Sequence, residues 1–157
     1  MTDIFTKAKR SAVMAAIRGK GNKATELRMI ALLRAHGITG WRRHTALCFG
    51  RGRTGVDGRS GKVSVDFVFR SERVCVFVDG CFWHACPRHG TRPAGNRAFW
   101  KAKLDRNVAR DRSVSRALRK AGWAVLRVWE HELAAKHWLR VARRVQRALD
   151  GRHTQPA

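Results

Sequence analysis

An α/β sandwich on a mixed sheet is the fold class this sequence predicts, and three observations predict it. Two β-branched, aromatic-rich runs, Val63–Phe69 and Val74–Val78, lie close together along the chain. A third, Trp123–Trp129, returns only after a long helical stretch. Helical periodicities flank the set at both ends, giving the order α-α-β-β-β-α-β-α. At 157 residues without an internal repeat, the chain suits a single domain spanning 1–157 with one core.

Each element has its own signal. Ser11 caps a short helix carrying Val13, Met14 and Ile17, which Gly19 and Gly21 end. Asn22 or Thr25 opens a second helix with an apolar stripe of Leu27, Ile30, Ala31 and Leu33, and Gly37 stops it. Residues 41–47 read as a strand. Residues 49–62 read as a loop, because Gly50, Gly52, Gly55, Gly58 and Gly61 alternate with arginines. The polar Arg70–Arg73 joins the next two strands as a hairpin, and residues 85–96 form a loop with Pro87 and Pro93. A helix then runs from about Arg97 to Ala121 and stops at Gly122. The last helix places Leu133, Trp138, Val141, Val145 and Leu149 on one side, and residues 150–157 read as a flexible tail.

Charge narrows the function. The chain carries 34 Lys and Arg against 11 acidic residues, a net +23 spread from Lys7 to Arg152. A positive field this dense suits a polyanion, nucleic acid first, with acidic lipid or mere solubility as alternatives. Residues 1–21 are expected to contact it as an N-terminal segment, and the 49–62 loop either faces DNA or is an insertion. Six Trp and seven Phe supply the apolar bulk that a disordered basic protein lacks. No run approaches the ~18 apolar residues of a membrane span, so the expected compartment is the cytoplasm, where cysteines are reduced or metal-bound.

The most informative stretch is Val74–His89. A strand ends in Asp79, a glycine follows, and the next nine residues hold two cysteines, two histidines and the adjacent Phe82 and Trp83. Cys81, Cys86 and His89 have zinc-type donors, with His131 as a candidate fourth ligand; buried thiols and surface histidines remain the alternative. His84 could take a proton near neutral pH, bind metal, or simply lie at the surface. Phe82 and Trp83, beside so basic a surface, are candidate wedges between bases. Cys75, within a strand, reads as core.

The carboxylates point to hydrolytic chemistry. Asp66 interrupts an apolar strand, where an unpartnered acid is costly, and Asp79 ends the next strand. If these strands pair, both acids approach one sheet edge, and one or two carboxylates are what Mg²⁺ commonly takes from protein. Asp79 is also a common turn residue before glycine. Asp111 lies on the inward stripe Trp100, Leu104, Val108, Ser115, Leu118, where an apolar residue is expected. Glu26, at the edge of its helix stripe, is a helix-surface acid or a site residue.

These residues resemble the very short patch repair endonucleases. The likeness lies in Asp79-Gly-Cys-Phe-Trp-His84, Asn96–Trp100, Asn107-Val-Ala-Arg-Asp-Arg112, Gly122–Glu130 and the N-terminal Lys9-Arg-Ser11…Met14…Ile17–Lys20…Glu26. It implies a restriction-endonuclease-like fold with a structural Zn²⁺, and Mg²⁺-dependent nicking of double-stranded DNA 5′ to the thymine of a T:G mismatch. By the same resemblance Asp66 and the Val78 carbonyl bind Mg²⁺, and His84 is the general base, oriented by Asp111. Glu26 supports the site, and Asp79 is a further candidate catalytic residue. Phe82, Trp83 and Trp100 intercalate, and Cys81, Cys86, His89 and His131 hold Zn²⁺. A monomer is expected, nucleoid-associated, coupled to a cytosine-5 methyltransferase and mismatch-repair proteins. Four departures stand out: Asp79 where some members have histidine, Val65-Asp66 where Pro-Asp is common, no acid-x-lysine at Asp79–Cys81, and His131 where cysteine is frequent, which zinc tolerates. A zinc-stabilised DNA-binding protein without catalysis, or a restriction-type nuclease of the same fold, are the other readings.

Overall fold

The computed structural model describes residues 25–49, 61–91, 93 and 95–153. Its sheet has four strands in the order β1 (Trp41–Phe49), β2 (Gly61–Phe69), β3 (Val74–Asp79) and β4 (Ala124–Trp129). The pairs β1–β2 and β2–β3 are antiparallel, while β3–β4 is parallel. Adjacent parallel strands cannot be joined by a tight turn, so the long helix α2 (Arg97–Lys120) serves as the crossover. With α1 (Glu26–Ala35) and α3 (Trp138–His153), the mixed α/β architecture follows the expected order from residue 25 onward. The expected helix after Ser11 and most of the 49–62 loop lie outside the described residues.

Alternation along the strands sends side chains into two cores. On one face Phe67, Phe69, Val74, Val76 and Val128 pack with Met29, Leu32 and Leu33 of α1 and Val141, Val145 and Leu149 of α3. On the other, Val68, Cys75, Phe77 and Val125 meet Leu118 of α2. Cys75 is a core residue, and burial pushes its thiol up to about 12. Cys48 is exposed on the edge strand.

Two expectations need correction. The buried face of α1 is Glu26, Met29, Leu32 and Leu33, while Leu27 is 40% exposed and Ala31 points to solvent. The helix ELRMIALLRA is apolar at so many positions that its periodicity does not choose a face. The choice is made by Glu26, whose carboxylate turns inward to Arg43 and His44 on β1. At the other end, α3 continues to His153, past the point where a tail is expected to begin; residues 154–157 lie outside the described set.

The sheet breaks its pleat in one place. On β1, Trp41 packs on the first core but Leu47 and Phe49 on the second; on β2, Phe67 and Phe69 face the first core but Val65 the second. An odd-numbered set should keep to one face. The switch falls at His44, whose φ of 47° is left-handed, and at Asp66 directly across from it. Beyond Phe67↔Val76, β2 and β3 no longer pair, and the parting strands leave room between them.

Candidate active site

Asp66 fills that gap. Its Oδ2 accepts the Val78 backbone N–H at 2.8 Å, replacing the lost ladder bond. The expected role of Val78 concerns its carbonyl; the contact seen here is made by its N–H. Burial pushes the Asp66 carboxyl above its ordinary value, with Glu26 and Asp79 adding to the rise and the Val78 N–H and His44 opposing it. Donor atoms of Asp66, Glu26 and His44 all lie within 4.8 Å of one another, a mixed oxygen and nitrogen set able to hold a divalent cation. Glu26 also receives Arg43 Nη2 at 2.7 Å. Arg43 Nε, buried beside this group, has no hydrogen-bond partner among the described residues, as fits a site that accepts a further oxygen.

The next residue of β3 faces the other way. Asp79 is buried and held by Arg127 through two bonds of 2.6 Å, a bidentate ion pair. Asp66 and Asp79 therefore do not share one cation cluster, though Asp79 is near enough to raise the Asp66 carboxyl. Arg127 lies on β4 beside Val78 and Asp79 in the parallel register, and its Nη2 also sits 3.3 Å from Asp111 Oδ2. Asp111 receives His84 Nδ1 at 2.5 Å, and Asp79 Oδ1 is 3.6 Å from the same nitrogen. A neutral His84 donating through Nδ1 keeps its lone pair on Nε2, the form a general base requires. Burial pushes Asp111 up, but the His84 hydrogen bond and charge, with Arg127 and Arg110, hold it below its ordinary 3.8. The acid on the inward stripe of α2 thus has its partners. A cleft of about 660 Å³ opens here, lined by His84, Asp111, Arg112, Arg116 and Arg127 among others.

The cysteine–histidine group converges as expected. Donor atoms of Cys81, Cys86, His89 and His131 lie within 4.8 Å of one another. His131 Nδ1 is 3.3 Å from Cys81 Sγ and 3.6 Å from Cys86 Sγ. A tetrahedral ion bound at zinc–sulfur and zinc–nitrogen lengths needs an edge of about 3.5 Å, so the donors fit. The turn that gathers them is closed by the Cys86 N–H to the Cys81 carbonyl at 2.9 Å and the Gly90 N–H to the Cys86 carbonyl at 2.8 Å. A Cβ at Gly90 would lie 2.5 Å from that carbonyl oxygen, so the closure requires glycine.

The aromatics gather on the same turn. Phe82 stands edge-on to Trp83 and Trp100, at 5.0 and 5.4 Å between centroids. Asn107 Nδ2 on α2 donates to the Trp83 carbonyl at 3.0 Å, fixing the turn to the helix. Phe82 and Trp83 are half-buried, whereas Trp100 is buried and its neighbour Phe99 is 47% exposed. Lys103 Nζ lies 5.3 to 5.7 Å from the ring centres of Trp83, Trp100 and Phe99.

A supporting pair anchors β4 to α3. Glu132 accepts the Trp129 N–H at 3.0 Å and Arg144 Nη1 at 2.7 Å. Burial pushes its carboxyl up, and the Trp129 N–H, Arg144 and Arg140 more than offset this, holding it below its ordinary 4.5. A lowered native value means stability that is fully present above the ordinary 4.5 and is lost as pH falls below 4.5 through the lower native value. Glu132→Gln should flatten the acid limb of urea-melt stability against pH; an unchanged limb would remove this assignment.

Sequence reasoning missed His44, Arg43 and Arg127. Arginines abound in this chain, so Arg127 carries no signal until the β3–β4 register sets it beside Asp79. His44 depends on the β1–β2 register in the same way.

The family model described as DNA mismatch endonuclease Vsr matches residues 2–88. The chain is 57% identical over 75 residues to the Type II nicking enzyme V.NaeI of Lentzea aerocolonigenes, a stretch covering 48% of this chain and 45% of that protein. It is 34% identical to the Type II nicking enzyme V.NmeDIP of Neisseria meningitidis serogroup C over 94% of this chain and 90% of the relative. It is 35% identical to the DNA mismatch endonuclease Vsr of Escherichia coli (strain K12) over 88% of this chain and 80% of the relative. With its site assembled at the end of β3 and its similarity running nearly the whole length of such relatives, the chain is a DNA endonuclease and belongs to the DNA mismatch endonuclease Vsr family.

Proposed function

We propose that this endonuclease nicks one strand of duplex DNA 5′ to the thymine of a T:G mismatch, the lesion left by deamination of 5-methylcytosine. The observation that carries the reading is the convergence at one end of β3. Asp66 accepts the Val78 N–H, the neighbouring Asp79 is near enough to raise the Asp66 carboxyl and lies 3.6 Å from His84, which pairs with Asp111, and Phe82 and Trp83 stand on the turn just before His84. Asp66, with Glu26 and the Val78 carbonyl in support, would hold Mg²⁺, which supplies Lewis-acid stabilisation of the charge developing on the scissile phosphate. His84 takes the proton of the attacking water on Nε2, while Asp111 fixes the ring through Nδ1 and favours the imidazolium that results. Asp79 contributes by holding Arg127 against Asp111.

The aromatic rings act as the wedge. Opening the cluster exchanges ring–ring contacts for ring–base contacts at a step where mispairing has already weakened stacking. Trp83→Ala should reduce preference for T:G over T:A duplex more than overall DNA affinity, and an unchanged ratio in a binding assay would count against the wedge. Sequence-independent affinity comes from the arginines and should fall steeply with salt.

Cys81, Cys86, His89 and His131 would hold one structural Zn²⁺. Elemental analysis should give about one zinc per chain, the number set by a four-ligand site. A folded, metal-free protein would exclude it. The enzyme would work as a monomer in the cytoplasm, coupled to a cytosine-5 methyltransferase whose product decays to the substrate and to mismatch-repair proteins.

One assay tests the whole reading: an end-labelled duplex with a T:G pair beside a matched T:A control, with and without Mg²⁺. Mg²⁺-dependent nicking confined to the mismatch is expected. Binding without cleavage, or equal cutting of the matched duplex, would overturn it.

A further inference from the structure

We infer that His44 is a direct ligand of the divalent cation assigned to Asp66, and that its ring nitrogen makes this centre prefer Mn²⁺ to Mg²⁺. The inference rests on the reading of Asp66 as a cation ligand and adds the donor that tunes which ion is taken.

Position comes first. The pairs Arg43↔Phe67 and Thr45↔Val65 put His44 directly across from Asp66, and the ladder omits only that pair within the stretch. At this point His44 adopts φ 47°, a left-handed conformation uncommon outside glycine, which asparagine, aspartate and histidine take more readily than other residues. This turn is where β1 changes face, since the apolar residues on either side pack on different cores. The same turn brings the imidazole in beside two carboxylates.

Geometry agrees. His44 Nε2 is 3.0 Å from Glu26 Oε2. Two adjacent ligands of an octahedral ion with bonds near 2.1 Å are separated by about 3 Å, so the spacing is that of neighbouring ligands as well as of a hydrogen bond. Arg43 Nη2, which approaches both groups at 2.7 and 3.4 Å, belongs to a side chain one-third exposed.

The donor set then decides the ion. Mg²⁺ is a hard cation that is bound through oxygen and retains several waters. Imidazole nitrogen favours transition ions, and Mn²⁺ accepts both nitrogen and carboxylate oxygen in the same octahedral geometry. Two carboxylates and one imidazole therefore shift preference from Mg²⁺ toward Mn²⁺.

The test is pulsed electron paramagnetic resonance of Mn²⁺ bound to the zinc-loaded full chain, with Mn²⁺ and Mg²⁺ affinities measured by calorimetry. The expected spectrum shows one directly bonded ¹⁴N in the parent, absent in both His44→Gln and His44→Asn. Mn²⁺ affinity should fall about tenfold or more in these variants while Mg²⁺ affinity changes less. The parent spectrum is decisive even if a variant unfolds. Mn²⁺ that requires Asp66 but carries no ¹⁴N coupling in the parent, or coupling that persists in folded His44→Gln, overturns the role of His44 and leaves the Asp66 reading intact. Mn²⁺ binding unaffected by Asp66→Asn overturns both.

Discussion

Asp66→Asn is expected to bind mismatched duplex as the parent does and to lose at least about a thousand-fold in nicking rate. A metal ion stabilises phosphoryl-transfer charge by several kcal/mol, and each 1.36 kcal/mol, roughly, is a tenfold change in rate. The same substitution should not harm the fold. Burial already pushes the Asp66 carboxyl toward its neutral form, so replacing it by a neutral amide of the same shape removes a desolvation cost. The amide oxygen can still accept the Val78 N–H. Unchanged binding in a gel-shift assay, an unlowered melting temperature and no product form the expected combination. Residual nicking above a hundredth of the parent's, contamination excluded, would strip Asp66 of its metal-holding role. Loss of fold together with loss of activity would instead make it a structural residue.

What the sequence announces and what it conceals follow a physical division. The Cys81–His89 turn was legible because its residue types are few in the chain and its donors come from one short stretch; the distant His131 was found as the fourth member because it follows a strand end. Asp111 was legible as an anomaly: on the inward face of a helix whose other inward residues are Trp100, Leu104, Ser115 and Leu118, a carboxylate calls for a partner. His84 is that partner. By contrast His44 sits in an ordinary polar strand segment, and its placement depends on a cross-strand register and on a backbone turn that composition does not encode. The sequence puts Asp66 and Asp79 on neighbouring strands but carries no sign of how far those strands pair. The strands part after Val76, so Asp66 turns into the gap while Asp79 turns to Arg127.

Arg127→Met is expected to destabilise the protein by about 3–5 kcal/mol, the range for removing one partner of a buried ion pair. Asp79 is 3% exposed, and both of its oxygens are held by this guanidinium at 2.6 Å. Burial alone would push Arg127 down, yet Asp79 and Asp111 together hold its pKa above the ordinary arginine value. Methionine preserves the packing against Phe77, whose ring centre lies 5.1 Å from the guanidinium, so the loss reports mainly on charge. The double variant Arg127→Met, Asp79→Asn should recover most of the stability, because the isolated buried carboxylate, and not the missing arginine, is what the fold cannot tolerate. It should not recover the activity. Arg127 Nη2 also lies 3.3 Å from Asp111 Oδ2, the oxygen that receives His84 Nδ1, so losing the cation loosens the acid that orients the base. Urea melts and nicking rates on the single and double variants separate these effects. Recovery of stability with activity still depressed means that one arginine serves two acids, closing the buried end of β3 through Asp79 and aligning the imidazole through Asp111. Recovery of both would confine Arg127 to the fold and leave Asp111 to position His84 alone.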